Sequence, residues 1–379
     1  MTRRGRAILA LGVVVYLVAW IFGARALYPV ATGLVLAVAL AVAWVRLSAR
    51  PPQVRRHGLG RDALEGDDVR VRLEVQTTSP IPPPTLVAVE RAGRLAERIV
   101  DLRYGGGTYT LEHVRRGRYV FAPVRLTIED PFALARVHLE KGEPEALVVY
   151  PRLVDLPELF SEGGTHAQDG RKLLLRRPTG YELHSVREHV EGDSLRTVHW
   201  PSTARRGRLM VKELEDAPRD EIVVLLDATV PATFDLAVRA AGSILRTHVR
   251  RNRRCALVVN SAARPVQTVA TPGDWHRAYE LLASAEPDGK RPLHALLQAE
   301  AGVAARALEL VVVTSTVDVA LADRLVQRAL SRRGSSLVYV SAEREPQLLR
   351  LQTAGVPIAI VRPGDDLAVK LAPEEARVA

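Results

Sequence analysis

The sequence predicts three parts in chain order: a pair of transmembrane helices, an all-β domain and a doubly wound α/β domain. Three observations carry this prediction. Two uncharged apolar runs, residues 7–23 and 27–45, each have the length that a helix needs to cross a bilayer core. Residues 57–151 alternate apolar and polar positions between frequent turn signals. Residues 217–379 alternate continuous apolar runs with helical patterns, as parallel α/β sheets do.

Residues 1–50 are therefore expected to form a transmembrane hairpin, and its flanking charges predict its orientation. Arg25 lies in the short connection, whereas arginines gather before the first run and after the second. The positive-inside rule places the arginine-rich side, and with it every later domain, in the cytoplasm. The sequence thus predicts a two-pass protein of the plasma or inner membrane. The outer arginines are Arg3, Arg4, Arg6, Arg46, Arg50, Arg55 and Arg56.

The overall composition narrows the class of partner. A formal net charge of +10 favours a polyanionic neighbour such as lipid headgroups, nucleic acid or an acidic protein. Anionic lipid headgroups account for the arginines beside the membrane, and nucleic acid is not expected because aromatic residues do not accompany the basic clusters. Cys255 is the single cysteine, which excludes an intramolecular disulfide framework and a multi-cysteine metal site.

The first soluble region reads as short strands joined by turns. Val69 to Gln76 alternates apolar and charged residues and predicts the clearest half-buried strand. Gly105 to Gly107 predicts a loop, and Gly117 predicts a tight turn with positive φ. Asp130-Pro131-Phe132 predicts a further turn. Because strand signals are frequent and helical periodicity is absent from the pattern, an immunoglobulin-like β-sandwich is the favoured fold.

A basic linker, residues 152–180, and a densely charged stretch, residues 181–216, come next. The linker predicts an exposed loop. The charged stretch holds six cations and seven anions, so it is balanced rather than basic. Two interpretations follow: an ion-pair lattice that stacks around Trp200 and locks the stretch against the next domain, or a site in which Arg196 and Arg205 clamp a carboxylate or phosphate.

The charged stretch resembles the signature of bacterial membrane proteins grouped as domain of unknown function 58. Residues 186–213 carry the resemblance, and Asp130-Pro131-Phe132 and Tyr150-Pro151 extend it upstream. The resemblance implies no established enzymatic activity. It implies a role in the assembly or activation of other proteins, together with a MoxR-type AAA+ ATPase and other membrane proteins. The matching positions taken as binding or signature residues are Arg187, Glu188, Asp193, Arg196, His199, Trp200, Arg205 and Lys212.

The same stretch also contains residue types that occur in the catalytic triads of hydrolases. Asp193, His199 and Ser202 are the residue types of a nucleophilic triad. No Gly-x-Ser-x-Gly turn surrounds Ser202, so the setting of a serine hydrolase is missing. We therefore expect no catalytic residue here.

A metal site is the other chemical alternative for the stretch. His184, His189 and His199 lie near the carboxylates of Glu188 and Asp193. Their spacing matches no familiar helix or loop motif for zinc. The structural interpretation therefore leads, with part of the stretch recognised by a partner.

The C-terminal pattern resembles a von Willebrand factor A-type domain. Such domains often hold a divalent cation through Asp-x-Ser-x-Ser after the first strand, and here that place reads Asp227-Ala228-Thr229-Val230-Pro231. Asp318 is the nearest carboxylate after the strand that ends at Thr314. Because hard cations want several oxygen ligands and Pro231 supplies none from its side chain, we expect no tight metal site. Asp227, Thr229 and Asp318 remain the candidates for Mg²⁺ or Mn²⁺.

The combined expectation is a non-enzymatic, membrane-anchored scaffold or adaptor without a cofactor, which presents a cytoplasmic interaction domain to an AAA+ ATPase. The alternative is a divalent-cation-dependent binding or hydrolytic module at the degenerate site of the α/β domain. A cluster from Arg246 to Arg254 ends a predicted helix, where cations suit the helix dipole. It predicts a solvated helix end or, in the sharper interpretation, contact with anionic lipid.

Overall fold

The computed structural model divides the chain into two compact units, Met1–Tyr150 and Pro151–Ala379. For residues 182–187 and 212–215 it describes the backbone alone. The described residues are 1–49, 52–59, 62–76, 85–102, 105–162, 182–189, 198–215, 222–298, 302–331, 333–343 and 345–373.

Two long apolar helices begin the first unit, α1 at Arg3–Phe22 and α2 at Tyr28–Ser48. The hydroxyl of Thr2 caps α1 by accepting a hydrogen bond from the amide of Gly5 at 3.0 Å. Gly23 ends α1 in the left-handed region at φ 66°, where glycine has no Cβ to clash. The two helices agree with the two apolar runs of the sequence to within about one helical turn.

Small residues line the contact between α1 and α2. Gly12 and Ala19 of α1 and Ala31 of α2 are buried. A Cβ on Gly12 would stand 3.1 Å from Cγ2 of Val35. The two backbones therefore approach more closely than larger side chains would allow, which is how membrane helices gain packing energy.

The remaining surface of this hairpin is largely apolar and exposed. Trp20, Ile21 and Phe22 at the end of α1 are 70%, 65% and 78% exposed. Both helices are long and apolar enough to cross a membrane. Exposed apolar side chains are unfavourable in water and favourable in hydrocarbon, so the surface of the hairpin suits hydrocarbon.

The outer ends of the hairpin are joined to the β-rich part of the same unit. The amide of Thr2 donates to the carbonyl oxygen of Leu134 at 3.0 Å. A Cβ on Gly5 would meet that oxygen at 2.1 Å, so a larger residue would force the turn away. Val38 and Val45 of α2 share one buried cluster with strand residues. The hairpin and the strands therefore pack as one unit.

The β-rich part contains ten strands within the residues that the structure describes, and they pair in three sheets. The strands are β1 (Gln53–His57), β2 (Ala63–Leu64), β3 (Val69–Gln76), β4 (Thr85–Glu90), β5 (Arg98–Asp101), β6 (Gly106–Leu111), β7 (Gly117–Phe121), β8 (Val124–Glu129), β9 (Arg136–Lys141) and β10 (Glu145–Tyr150). The sheet orders are β1-β3-β6, β2-β10-β7 and β5-β4-β8-β9. The β-rich region that the alternation predicts is confirmed.

The glycines at residues 105–107 correct one prediction. The sequence predicts a loop, but β6 runs through two of them and pairs with β3. A Cβ on Gly107 would lie 2.6 Å from Cγ1 of Val100 and 2.9 Å from Cδ2 of Leu102. Close packing therefore requires glycine at 107, whereas Gly105 keeps the predicted loop, in the left-handed region at φ 79°. Gly117 takes a positive φ of 151°, as predicted.

A buried ion pair lies inside the β-rich part. Nε of Arg56 is 3.0 Å from Oε1 of Glu90, and the two side chains are 1% and 2% exposed. Arg56 Nη1 also donates to the carbonyl of Glu143 at 2.8 Å, and the Tyr109 hydroxyl donates to Oε2 of Glu90 at 2.7 Å. Burial, together with the hydrogen bond to Glu90, raises the pKa of Tyr109. Arg56 is thus an internal group and not one of the membrane-facing cations that the sequence predicts.

The second unit begins with residues 151–162, which lie in the predicted linker and pack against the α/β core. Leu159 is 1% exposed, and Leu156 and Phe160 are also buried. These three residues belong to the same hydrophobic cluster as the first helix of the α/β sheet. This part of the predicted linker is therefore docked rather than solvated. An antiparallel pair follows, β11 (Glu182–Glu188) and β12 (Met210–Glu215), with the short helix α3 (Trp200–Arg206) between them.

A six-stranded sheet forms the centre of the second unit. Its strands are β13 (Ile222–Asp227), β14 (Cys255–Asn260), β15 (Val266–Val269), β16 (Glu309–Thr314), β17 (Gly334–Val340) and β18 (Ile358–Val361). The order is β15-β14-β13-β16-β17-β18, and all pairs are parallel except the edge pair of β14 and β15. Strands buried on both faces read as continuous apolar runs, which is why the sequence locates them.

Helices cover both faces of this sheet, as the alternating pattern predicts. They are α4 (Phe234–Arg250), α5 (Trp275–Ser284), α6 (Leu293–Gln298), α7 (Val303–Arg306), α8 (Val319–Leu330), α9 (Pro346–Thr353) and α10 (Leu367–Lys370). Val224 of β13 packs in one hydrophobic cluster with α4 and α5, whereas its neighbour Leu225 packs in another with α6, α8 and α9. The α/β domain with a largely parallel sheet is confirmed.

Candidate functional site

The charged stretch folds, where the structure describes it, as the β11–β12 pair with α3 in its connection. Glu188 of β11 pairs with Met210 of β12 beside that connection. Val198 makes an isolated bridge to Val211, and both side chains are 4% exposed. Gly207 ends α3 in the left-handed region at φ 64°, and the chain then enters β12.

His199 and Ser202 fix α3 to β12. Nδ1 of His199 is 2.7 Å from Oγ of Ser202, and the amide of His199 donates to the carbonyl of Met210 at 2.8 Å. The hydroxyl of Thr203 donates to the carbonyl of His199 and accepts from the amide of Met210 at 3.0 Å. These bonds give the signature histidine a structural role.

The arrangement also bears on the triad alternative. The amides of Ser202 and Thr203 both donate to the carbonyl of His199, at 3.1 and 3.0 Å. An oxyanion hole needs free amide donors next to the nucleophile, and these two are already bonded. Asp193, the third member of the sequence pattern, lies outside the described residues, as does Arg196.

Trp200 contradicts the predicted lattice. Its side chain is 67% exposed, and no residue of α3 is buried. The helix is held by the hydrogen bonds of its His199 end and of Thr203, so it does not depend on burial of the indole. Arg205 is exposed on the same helix, and Arg208 pairs with Glu188 across an exposed 3.1 Å contact. The described part of the stretch therefore presents an aromatic and basic surface to solvent.

The remaining signature residues are described through their backbones. Lys212 of β12 faces Val186 in the register of the strand pair, and Arg187 faces Val211. Among the metal candidates of this stretch, the side chain of His184 is not described, and the amide of His189 donates to the carbonyl of Leu209 at 2.9 Å. Across the described ranges, no group of three or more His, Cys, Asp or Glu side chains is placed to hold a metal ion.

Asp227 lies at the carboxyl end of β13, in the default binding crevice of an open α/β sheet. Its Oδ2 accepts hydrogen bonds from the hydroxyls of Thr314 at 2.7 Å and Thr229 at 3.0 Å. Its Oδ1 accepts from the amide of Thr229 and from Nδ2 of Asn260, both at 3.3 Å. Because protein donors meet both oxygens, the carboxylate is satisfied without a cation.

Asp318 is also engaged by the protein. Its Oδ1 caps α8 by accepting from the amide of Leu321 at 2.6 Å, and its Oδ2 is 2.8 Å from Nδ1 of His294. Asp227, Thr229 and Asp318 line one cavity of about 60 Å³, which has room for about two water molecules. The structure thus brings the three predicted cation candidates to one small polar cavity.

A loop after α5 narrows this crevice further. The amide of Gly289 donates to the carbonyl of Ala228 at 3.0 Å, and a Cβ there would meet the carbonyl oxygen of Asn260 at 2.1 Å. Asp288 accepts a hydrogen bond from the amide of Ala262 at 2.9 Å. Glycine therefore lets the loop lie directly over the ends of β13 and β14, so a large ligand has no room there.

The basic cluster at the end of α4 is largely neutralised. Arg246 and Arg250 contact Oδ1 of Asp155 at 2.8 and 2.5 Å. Arg251 pairs with Glu162, and Arg253 is 3.1 Å from Oε2 of Glu309. Although burial alone would raise it, the hydrogen bond from Arg251 lowers the pKa of Glu162. Arg246, Arg250 and Arg251 hold residues 151–162 on the α/β core, and Arg250 and Arg251 stay exposed at the solvated helix end that the sequence predicts.

Sequence reasoning missed a second group of arginines, on and after α8. Arg324, Arg328 and Arg333 line a cavity of about 380 Å³. Their spacing of four and five residues resembles that of many solvated helix faces, so the pattern alone does not separate them from surface charge. Only the burial of Arg328 would have singled them out, and burial requires the fold.

Comparisons with known proteins support the family resemblance. Residues 185–354 match the family model described as protein of unknown function DUF58. The uncharacterized protein YeaD of Bacillus subtilis (strain 168) is 24% identical over 301 residues, which cover 75% of this chain and 74% of that protein. The fold and the signature residues thus define a protein similar to a family whose function is not established.

Solved structures add no further argument. The PKD domain of human SorCS2 matches with 15% identity, 28% of this chain, 76% of that chain and a TM-score of 0.20. A conjugative transposon lipoprotein from Bacteroides eggerthii matches with 12% identity, 26% of this chain, 96% of that chain and a TM-score of 0.17. Similarities at this level do not bear on the architecture of the whole chain.

Proposed function

We propose that this protein is a membrane-anchored, non-enzymatic scaffold of the DUF58 family that presents a cytoplasmic interaction domain. One observation carries the proposal: two long apolar helices expose most of their side chains, yet their outer ends pack on the β-rich part of the same unit. Water would not tolerate that surface, whereas a bilayer would bury it. A membrane anchor that packs on the β-rich part of its own unit would hold that part at the membrane, as a scaffold requires.

The orientation rests on charge. Arg3, Arg4 and Arg6 begin the hairpin and Arg46 ends it, whereas Arg25 stands in the connection. The positive-inside rule assigns the arginine-rich side to the cytoplasm. Both folded units follow the arginine-rich side in the chain and would lie in the cytoplasm of a two-pass membrane protein.

The surface offered to a partner is α3. Trp200 is 67% exposed, although tryptophan normally buries most of its surface. Tryptophan and arginine are enriched among the residues that dominate protein interfaces, and Arg205 and Arg206 lie exposed on the same short helix. An exposed indole among arginines fits an acidic protein surface. The family resemblance suggests that a MoxR-type AAA+ ATPase supplies it, with anionic lipid and other membrane proteins as further partners.

Two features of the second unit support the proposed domain type and the absence of enzyme activity. The sheet order with one antiparallel edge strand, β15, is consistent with a von Willebrand A-like domain, and we propose an immunoglobulin-like character for the β-rich part. The amides beside Ser202 and both oxygens of Asp227 are engaged by the protein itself. The amide donors that an oxyanion hole would use and the carboxylate oxygens that a cation would bind are thus engaged in structural hydrogen bonds.

Crosslinking of the detergent-solubilised protein to a co-expressed MoxR-type ATPase tests the proposal. We expect the unmodified chain to give a specific crosslink, and Trp200→Ala and Arg205→Glu to reduce it about tenfold, since interface anchors each contribute 1.4 kcal/mol or more, or about tenfold in affinity. Ile99→Ala is the matched control, because Ile99 is an equally exposed apolar residue in the other unit, at 75%. A crosslink that Trp200→Ala leaves unchanged, or no crosslink at all, would contradict the proposal.

The second candidate is a divalent-cation-dependent binding or hydrolytic module, favoured by the small cavity that Asp227, Thr229 and Asp318 share. A cation there would have to displace the donors that already meet Asp227. Calorimetric titration with Mg²⁺ or Mn²⁺ distinguishes the two candidates. Binding that Asp227→Asn abolishes would favour the module, and the absence of heat would remove it.

A further inference from the structure

The cavity of about 380 Å³ in the second unit has a strongly cationic lining. Arg324 and Arg328 come from α8, and Arg333 follows that helix. Gln327 and Ser331 add an amide and a hydroxyl between them. The volume falls within the range of roughly 300–1,000 Å³ that is usual for small-molecule sites.

Arg328 is the buried member of the group, at 9% exposure. Its Nη1 donates to the carbonyl of Ala305 at 3.1 Å, and its Nη2 donates to the carbonyl of Ala307 at 2.9 Å. Its Nε is buried without a hydrogen-bond partner. Burial, with a contribution from Arg333, lowers the pKa of Arg328. The side chain therefore carries a charge inside the protein that neutral carbonyls meet only in part.

A second guanidinium approaches the same carbonyl. Nη1 of Arg333 donates to the oxygen of Ala305 at 3.1 Å, the distance at which Arg328 also donates. The carbonyl oxygens at the C-terminal end of α7 explain why one arginine binds there, because cations suit that end of a helix. They do not account for two like charges that converge on one neutral acceptor, because close like charges repel in a partly buried setting. An anion between them would remove that repulsion.

No carboxylate in the described residues pairs with these arginines. Arg324 makes a long hydrogen bond, 3.4 Å from its Nη1 to Oε1 of Gln327. Elsewhere in the same unit, arginines do find carboxylates: Arg250 contacts Asp155 and Arg350 contacts Asp323 at 2.6 Å. Several arginines of this unit thus meet carboxylates, whereas the described acceptors of this group are carbonyl and amide oxygens.

We propose that Arg324, Arg328 and Arg333 form a binding site for the phosphate group of a small phosphorylated molecule. Guanidinium groups bind phosphate and carboxylate oxygens through paired N–H donors. A phosphate carries up to two charges and three oxygens that point in different directions, so it matches three arginines around one cavity better than a single planar carboxylate does. The site is separate from α3 and from the Asp227 cavity, and it goes beyond the scaffold function proposed above.

Isothermal titration of the full-length protein with inorganic pyrophosphate, in an uncharged detergent and phosphate-free buffer, tests the site. We expect saturable binding that weakens about tenfold in Arg324→Gln and again in Arg333→Gln, each change corresponding to about 1.4 kcal/mol. Arg328 is left intact in these variants, because its removal would take the arginine donor from the carbonyl of Ala307 and leave that of Ala305 to Arg333 alone. Arg350→Gln is the control, since it removes an exposed arginine of the same unit that does not line the cavity.

Citrate provides the carboxylate arm of the same experiment. Tighter binding of citrate than of pyrophosphate would overturn the assignment to phosphate. Pyrophosphate binding that the Arg324→Gln, Arg333→Gln double variant retains at full strength would overturn the site, as would the absence of binding to the unmodified protein at millimolar concentration. Thermal unfolding of each variant without ligand checks that a loss of binding is not a loss of fold.

Discussion

Arg56 in the first unit and Arg328 in the second are each 9% exposed when backbone and side chain are counted together, but their surroundings differ. Arg56 lies 3.0 Å from the carboxylate of Glu90, and backbone carbonyls take its other donors. Arg328 meets carbonyls at two donors, and a second arginine approaches from the side. In the first unit a carboxylate neutralises the buried arginine. In the second, no carboxylate of the described residues pairs with Arg328, which lies beside a cavity.

The difference indicates where binding function resides. A buried ion pair with its remaining hydrogen bonds made is a structural element, since the loss of either partner leaves a charge without compensation. A buried cation without a counter-ion costs stability unless something outside the chain neutralises it. The contrast agrees with the proposals that the first unit anchors the protein and the second recognises a partner, and mutations can test it.

The largest expected effect on stability is at the buried ion pair of Arg56 and Glu90. Glu90→Gln would leave Arg56 with only the partly exposed carboxylate of Glu145, 3.5 Å from its Nη1. We expect the first unit to lose about 3 kcal/mol of unfolding free energy, because the nearer and fully buried counter-ion is removed. Urea unfolding, with hydrogen exchange to locate the change in β3, β4 and β8, provides the measurement. Glu97→Gln is the control, because its pair with Arg91 is about half exposed on both sides and is worth at most about 1 kcal/mol. Equal effects of the two variants would contradict the contrast.

A smaller effect is expected from the close packing of the first unit. Gly107→Ala would bring a Cβ to 2.6 Å from Val100 and 2.9 Å from Leu102, and we expect a loss of about 1–3 kcal/mol from overpacking. Gly106→Ala is the matched control in the same strand, since the nearest atom to its Cβ is an oxygen 3.7 Å away. Thermal unfolding compares the two. A greater loss in Gly106→Ala would show that β6 is not packed as described.

A third effect concerns pH and lies in the second unit. Burial, followed by repulsion from Arg253, lowers the pKa of His248 to about 3, from 6.5 in the unfolded chain. As the pH falls below 6.5, the unfolded chain takes up a proton that the folded chain does not, so stability decreases. We expect His248 to account for a loss of about 1 kcal/mol between pH 7 and pH 5.5. The measurement is the unfolding free energy at both pH values.

His248→Leu is the comparison for that titration. The variant should lose less stability over the same interval, because its side chain binds no proton in either state. An identical pH dependence in both proteins would mean that His248 is not held neutral in the folded state.

The smallest effect is expected at an exposed pair. Arg250 contacts Asp155 at 2.5 Å, and the two side chains are 62% and 69% exposed. Because water screens such pairs, Arg250→Gln should cost roughly 0.2–1 kcal/mol. Leu159→Ala, on the segment that the pair helps to hold, should cost about 2–5 kcal/mol because Leu159 is buried. A larger loss in Arg250→Gln would show that ion pairs rather than apolar burial hold residues 151–162.

The sequence predicts the α/β strands well for a physical reason. Strands buried on both faces need continuous apolar residues, and Cys255–Asn260 shows such a run with the bounds that the structure has. The sequence does not predict short elements such as α6 (Leu293–Gln298) and β5 (Arg98–Asp101), because four to six residues show too little hydrophobic periodicity. The predicted loop over residues 105–107 holds at Gly105 and was wrong at Gly106 and Gly107, because close packing between strands, a tertiary effect, also requires glycine at 107.

The site residues divide in the same way. Local chemistry placed His199 and Gly207 in the stretch that forms α3 and its end, and it placed Asp227 at the end of a strand. It predicted a lattice stacked around Trp200, whose side chain is 67% exposed. It also missed the carboxylate partners of the cluster from Arg246 to Arg254, because a single sequence does not show which charges meet. Long-range contacts decide both buried arginines. Arg56 pairs with Glu90, 34 residues away, and Arg328 donates to carbonyl oxygens 21 and 23 residues away.

Topology labelling tests the central claim of a two-pass anchor with both units on one side of the membrane. Cys255 is fully buried, so the unmodified protein should react little with a membrane-impermeant maleimide. We predict that Arg25→Cys, in the connection of the hairpin, is labelled in intact protoplasts. Gln352→Cys, exposed on α9 of the second unit, should be labelled only after permeabilisation. Labelling of both positions in intact protoplasts, or of Gln352→Cys alone, would contradict the account.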